Sequence, residues 1–368
     1  MNVASPALEL GVLVAEYGTG LQVTRVHRAP DGGLGGAGDF LWWHGPGPRR
    51  GGPLRVPARS AALVPDLGPV ATAALLATGT PYGDGLLHRA AGSASAAAWL
   101  RDPRPQAGRL VAHSLAAAAR ALRALHGVPL PPGPQPLPPP GVRRLREWVA
   151  GTGPLAPAAA RLRRRAREVW GGDRTERLLG WADDAVRASG PGAPVVPLHG
   201  WASTGSLVPP RSRGRVALLT GEDLGVGRRE LDLGWMLGDL VELAWSSPLH
   251  RAAESAGLLS VTDLQRVFLG AYEADGRDTD GREGGGHDGG GRDGGGRDGG
   301  GRERGDHGPT GPVYDPVAVG HCAVLRVVTH MRDFATYCEW SDELLDYLAF
   351  TAELIDEEGR RAVPRGES

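Results

Sequence analysis

Residues 129–140 read PLPPGPQPLPPP, and nothing else in the chain restricts its folding so firmly. Proline has no amide hydrogen and a fixed φ, so this stretch can be neither helix interior nor central strand. The clearest helix of the sequence runs up to it. Val111, Leu115, Ala118, Leu122 and Leu125 follow one another at spacings of 4, 3, 4 and 3, a single apolar stripe with Arg120 and Arg123 off it. That pattern stops at His126-Gly127, so a long amphipathic helix must end there and the chain must begin again after the prolines.

The part before the helix is β-rich. Residues 10–29 form two strand-like runs around the tight connection Gly18-Thr19-Gly20, and Asp39 to His44 (DFLWWH) reads as a third strand. Residues 60–100 are rich in Ala and Leu; they predict a short helix over Val70–Ala77 and more helix near Ser95–Leu100. The part after the prolines is mostly helical. Residues 142–187 are helical with 11 Arg against 6 acids, Val216–Leu219 is a short strand, and Leu231–Trp245 and Pro316 to about Glu357 are helices. The segment Val195–Val208 alternates apolar residues with loop-formers. Residues 276–311 hold 17 Gly in 36 positions and cannot bury apolar surface, so they are expected to be a disordered insertion. A calcium β-roll would repeat every nine residues with an apolar position in each, which this segment lacks.

The 368 residues are 41% hydrophobic, enough for a sizeable core in one bilobal domain or two small ones. The net charge of −1 argues against a protein that coats nucleic acid. No apolar run approaches the roughly 20 residues that span a bilayer, and the first residues carry Glu9 and no basic region, so a membrane segment and a secretory signal are not expected. Cys322 and Cys338 are too few for a disulfide scaffold or a Cys-rich zinc site. The reading is a soluble cytoplasmic protein. All 41 bases are Arg, and the only Asn is Asn2. Coding bias explains scarcity, but the outcome excludes any mechanism that needs a lysine side chain or an internal asparagine ligand.

Two segments resemble the aminoglycoside phosphotransferase family and its choline-kinase-like relatives. Residues 117–130 (AAARALRALHGVPL) are similar to the helix those enzymes end with Leu-His before a proline-containing loop, and residues 195–245 are similar to their catalytic segment. The resemblance implies an α+β, bilobal protein-kinase-like fold: a small β-rich N-lobe over residues 1–92 and a larger, mostly helical C-lobe over 93–368, carrying the Pro-rich loop 129–140 and the insertion 276–311. The family chemistry is transfer of the ATP γ-phosphoryl group to a hydroxyl, with an Asp at the acceptor, an Asn and an Asp on Mg²⁺, and a Lys on the third strand. The motif reads His-Gly-Asp, four residues, Asn, a strand, then Asp-Trp-Glu and, a turn later, Asp-Leu-Ala.

Measured against that pattern, the framework persists as His199, Gly200, Gly227 and Asp232, the last implied to brace the catalytic loop. The chemical positions do not. Trp201 stands for the catalytic Asp, Ser206 for the Asn and Thr220 for the metal-binding Asp; Trp42, Trp43 and His44 occupy the Lys region, and no Glu lies between Glu16 and Glu147 to pair with it. Losing an acid/base group costs about 10²–10⁴ in rate, and losing the metal ligands removes the charge neutralisation phosphoryl transfer depends on. The sequence therefore reads as a pseudokinase, with no catalytic residue, no cofactor and no metal site. Trp201 is expected to plug the space for nucleotide phosphate or to stack on a ligand, and Glu222 and Asp223 are weak candidates for a slipped metal site.

Partner surfaces are fewer. Arg161–Arg167 (RLRRRAR) at helical spacing reads as a solvated face. Residues 339–358 carry Glu339, Asp342, Glu343, Asp346 and four further acids with no base, above Leu344, Leu345, Leu348 and Leu354. These acids are either the polar side of an amphipathic helix or a surface for a cationic ligand, since acidic C-terminal helices receive cationic substrates in the resembling enzymes. His321, Cys322 and His330 are too sparse for a metal site. The expected role is a non-catalytic binding or scaffold subunit for a protein or peptide, by analogy in a peptide-modifying natural-product pathway. The alternatives are an active small-molecule or peptide phosphotransferase using displaced carboxylates and a non-catalytic binder of a cationic small molecule.

Overall fold

The computed structural model describes residues 10–30, 39–61, 63, 74–130, 132–133, 136–188, 194–247, 259–274 and 313–364. The glycine-rich segment 276–311 lies outside them. The fold is α+β. Strands β1 (Val12–Gly18), β2 (Gln22–Arg28) and β3 (Phe40–Pro46) form an antiparallel meander, which β6 (Gly85–Ala90) and β5 (Thr80–Tyr82) extend in the order β1-β2-β3-β6-β5. Between them come a single turn of helix, α1 (Ala58–Ala61), and β4 (Ala74–Thr78).

Strand β4 corrects the helix expected over Val70–Ala77. Its described residues pair in parallel with β9 (Val216–Thr220), Ala74 opposite Val216 through Thr78 opposite Thr220, and β8 (Leu207–Val208) closes the other side of β9. A short apolar run such as ALLAT has no period that separates buried strand from buried helix. The decision belongs to β9, all five of whose residues are buried and which needs a partner on both edges. The inner face of the large sheet meets this small one through Val26, Phe40 and Trp42 against Ala77, Val208, Ala217 and Leu219.

The helices make the larger core. After α2 (Ala96–Trp99), helix α3 (Pro105–His126) buries the whole predicted stripe, with Val111, Leu115, Ala118, Leu122 and Leu125 fully inside. The described prolines at 138 and 139 are non-helical, and Pro140 opens α4 (Pro140–Ala150) at a position where its missing amide costs nothing. Helix α5 (Pro157–Asp184) follows, bent at Gly171. Strands β7 (Val196–Leu198) and β10 (Gly225–Gly227) pair antiparallel, then come α6 (Glu230–Ser246) and α7 (Val261–Glu273). The helix expected from Pro316 to Glu357 is two: α8 (Pro316–Tyr337) and α9 (Glu343–Asp356), followed by a 3₁₀ turn at Arg360–Ala362. Cys338 leaves helical geometry because the end of α8 is bonded from outside: Gly20 N–H donates to Tyr337 O (2.9 Å) and Arg49 to Cys338 O (2.5 Å). Among the described residues, no helix is long and apolar enough to cross a membrane.

Candidate functional site

The cleft between the large sheet and the helical part is built around the loop 199–206, and α6 holds that loop at both ends. Asp232, fully buried, accepts from the amides of His199 (2.7 Å) and Gly200 (2.8 Å) and from His126 Nε2 (3.1 Å). Seven residues on, Asp239 accepts from the Thr204 amide (2.8 Å) and its hydroxyl. Two helical turns separate these carboxylates, so both face the loop. Tyr272 of α7 hydroxyl-bonds His126 Nδ1 (2.8 Å), which orients the imidazole toward Asp232. Gly200 sits at φ +80° with its α-carbon against Asp223 O, a backbone only glycine adopts without strain.

His199 is buried and neutral. Its Nε2–H donates to Leu219 O (3.0 Å) and Nδ1 accepts from the Trp201 amide (3.3 Å), and burial lowers its pKa. The imidazole thus ties the loop to β9. Gly227 ends β10 opposite Val196, so all four framework residues are structural.

The three altered chemical positions converge on one cleft of about 300 Å³, lined by Trp201, Ser206 and Thr220 together with His44, His88, Arg144, Glu222 and Asp223. Trp201 does not fill it. The indole packs on Trp235 (centroids 5.6 Å apart) and against Gly141 of α4, so it forms a wall and leaves open volume beside it. Ser206 turns back on its own loop, donating to Ser203 O (2.9 Å). Thr220 Oγ1 is buried with no hydrogen-bond partner among the described residues. Of the third-strand residues, Trp42 is core and donates from Nε1 to Gly92 O (2.8 Å), and Trp43 lies on the other face under Arg25. His44 alone reaches the cleft, its ring 4.8 Å from that of His88. Burial drives both imidazoles to the neutral form, His88 to about 4 and His44 well below its usual value.

The weak metal candidates meet arginine. Arg50 forks onto Glu222, Nη1 to Oε1 at 2.9 Å and Nη2 to Oε2, which occupies both carboxylate oxygens. Asp223 is pushed up to about 7, first by burial and then by Glu222 beside it, and its Oδ1 is buried without a partner among the described residues. Half-buried Arg144 stays charged against the cost of burial because Asp333 and Asp223 face it. Among the described residues no group of three or more His, Cys, Asp or Glu is placed to hold a metal ion. Sequence reasoning singled out none of Arg50, Arg144 and Asp239: an arginine in a chain with 41 of them carries no signal, and the signal that could have found Asp239 is its i+7 spacing from Asp232 on one helix.

The acidic residues lie elsewhere. Glu339, Asp342, Glu343 and Asp346 are exposed around the start of α9, with Leu344, Leu348 and Leu354 buried beneath and Leu345 at the surface. Trp340 Nε1 donates to Asp342 (3.1 Å), and Arg161 of α5 stacks on the Trp340 ring at 3.9 Å.

No family model and no curated protein sequence matches the chain. Solved structures do. An amicoumacin kinase in complex with AMP-PNP and Ca²⁺ aligns with TM-score 0.52 at 11% identity, over 98% of this chain and 93% of its own. An ethanolamine kinase from Plasmodium vivax aligns with TM-score 0.50 at 9% identity, over 95% and 83%. A choline/ethanolamine kinase family protein from Mesorhizobium loti, 14% identical, covers 99% and 96% at TM-score 0.44. The chain has the protein-kinase-like fold of the amicoumacin and ethanolamine kinases, the fold that the two sequence segments implied.

Proposed function

We propose that this chain keeps the phosphotransferase fold without the reaction and acts as a non-catalytic binding subunit, its exposed 339–346 surface receiving a basic peptide or protein. The observation that carries the first half is the make-up of the cleft. The positions for catalytic and metal-binding groups present an indole, a self-bonded serine and a threonine without a partner among the described residues, while of the two carboxylates that line the cleft Glu222 is consumed by Arg50 and Asp223 is pushed toward its neutral form by burial. Phosphoryl transfer is catalysed almost entirely by positioning and charge stabilisation, and here the residues that the resemblance assigns to both are replaced at Trp201, Ser206 and Thr220. Thermal unfolding with millimolar ATP and Mg²⁺ tests it. A nucleotide that bound the native state at a hundredfold excess over Kd would stabilise it by about 2.7 kcal/mol, several degrees for a domain of this size. No shift and no ATP consumption with hydroxyl acceptors are expected; a magnesium-dependent shift that Glu222→Ala abolishes would establish the active alternative.

A further inference from the structure

The β1–β2 turn lines the cleft through Gly18, Thr19 and Leu21, and in a chain held only by its own sheet such a glycine-flanked turn is free to lift. Here it is tied down. The Gly20 amide donates to Tyr337 O (2.9 Å), and the exit from β3 is bound to the turn by Arg49 N–H on Gly20 O (2.8 Å) and Gly47 N–H on Leu21 O (2.9 Å). From that exit two consecutive arginines leave the large sheet: Arg49 to Cys338 O at the end of α8 (2.5 Å) and Arg50 to Glu222 in the loop between β9 and β10, which itself lines the cleft. The Arg50 and Glu222 side chains are only 18% and 16% exposed, so solvent screens the pair weakly, and the two-pronged geometry adds to its strength.

We propose that Gly20, Arg49 and Arg50 form a strap that holds the β1–β2 turn closed over the cleft, and that access to the cleft requires its release. The strap grips the carbonyls that α8 leaves unsatisfied at its end and the carboxylate beside Asp223. One anchor is the end of α8 and the other the loop between β9 and β10, both outside the large sheet, and the turn cannot rise while they hold. The proposal stands apart from the question of catalysis, since a closed strap would gate any ligand.

The test uses hydrogen exchange over residues 18–22 and site-resolved thiol labelling in full-length protein carrying Ser206→Cys, which puts a thiol inside the cleft. Arg49→Ala with Arg50→Ala should speed turn exchange and cleft labelling at least tenfold. Glu222→Gln should move both in the same direction by a smaller factor. Cys322, fully buried, should stay unlabelled as the mark of an intact core. Arg55→Ala is the control, because among the described residues Arg55 hydrogen-bonds Leu54 O and Gly83 O alone, both before β6. Exchange and labelling unchanged in the double variant, or matched by Arg55→Ala, would overturn the strap. If the double variant exposes Cys322, Glu222→Gln carries the test alone, and wild-type rates there would overturn it.

Discussion

Asp232 has no solvent exposure and yet satisfies three donors, so its contribution is counted in the groups it would leave behind. Asp232→Ala strands two amides and an imidazole N–H in the core; each buried unsatisfied group costs about 1–3 kcal/mol. A loss of roughly 3–5 kcal/mol is expected in urea unfolding, and a loss under 1 kcal/mol would show the loop is braced otherwise. Asp223 gives a second expectation, with the opposite sign to most carboxylates. Its native pKa is near 7 against an ordinary 3.8, so between those values the folded chain holds a proton the unfolded chain has released. Its contribution to stability therefore falls as pH rises from about 4 to about 7 and is flat above. Glu242 acts in a separate window: burial alone would raise it, but Arg326 and His330 bring it to about 2, so its contribution is lost only as pH falls below about 4 toward 2. Asp223→Asn should flatten the slope between pH 4 and 7 and make the protein more stable than wild type at pH 8. A variant less stable at pH 8 would mean the carboxylate is ionised and paired. At this scale the framework was legible because His199, Gly200 and Asp232 keep both their identity and their spacing. The arginine partners were not, because pairing across 172 residues leaves no local mark.

Helix α6 crosses α8 in the most extensive helix–helix contact among the described residues, and two glycines set the distance. A β-carbon on Gly234 would lie 2.6 Å from Val319 O and 2.7 Å from Ala323 N and would strike Cys322; on Gly238 it would lie 3.0 Å from Arg326 Cβ. These atoms are backbone or close to it and cannot yield. Gly234→Ala, despite its better helix propensity, should therefore destabilise by about 1–3 kcal/mol, the usual range for overpacking, and a stabilised variant would show the helices can part. The separation matters to the site because Arg326 of α8 bonds Asp239 and Glu242 of α6, and Asp239 holds the loop at Thr204. The amphipathic stripe of α3 was legible, all five of its residues being buried, but Ser114, Ala117, Ala119 and Ala121 beside it are buried as well, because small side chains let neighbours cover more of the helix than its apolar period marks. β4 was not legible, since its strand state is decided by β9 more than a hundred residues away. The break between α8 and α9 was equally hidden, because Gly20 and Arg49 bond the carbonyls at that point.

Across the molecule, charge is sorted rather than balanced. The net value of −1 conceals an acidic patch at the start of α9 beside an arginine-rich α5. The patch is held in place: Arg161 covers Trp340, Trp340 bonds Asp342, and Leu344 and Leu348 anchor the helix beneath. Glu339, Glu343 and Asp346 are exposed and make no ion pair among the described residues, so their field is available to a partner. A preorganised surface spends little ordering entropy on binding. Reversing Glu339, Asp342, Glu343 and Asp346 to Arg should abolish retention of a hexa-arginine peptide, and wild-type retention should weaken with salt as charges are screened beyond roughly 8 Å. The same reversal puts cations in the first turn of α9, where acids are favoured by about 0.3–1 kcal/mol each, so a modest drop in melting temperature is expected without unfolding. Reversing Asp173 and Glu176, exposed on α5, should leave retention near wild type. Retention that survives the quadruple reversal, or that both sets of variants reduce alike, would move the interface away from α9 and leave its acids as nothing more than the wet side of a packed helix.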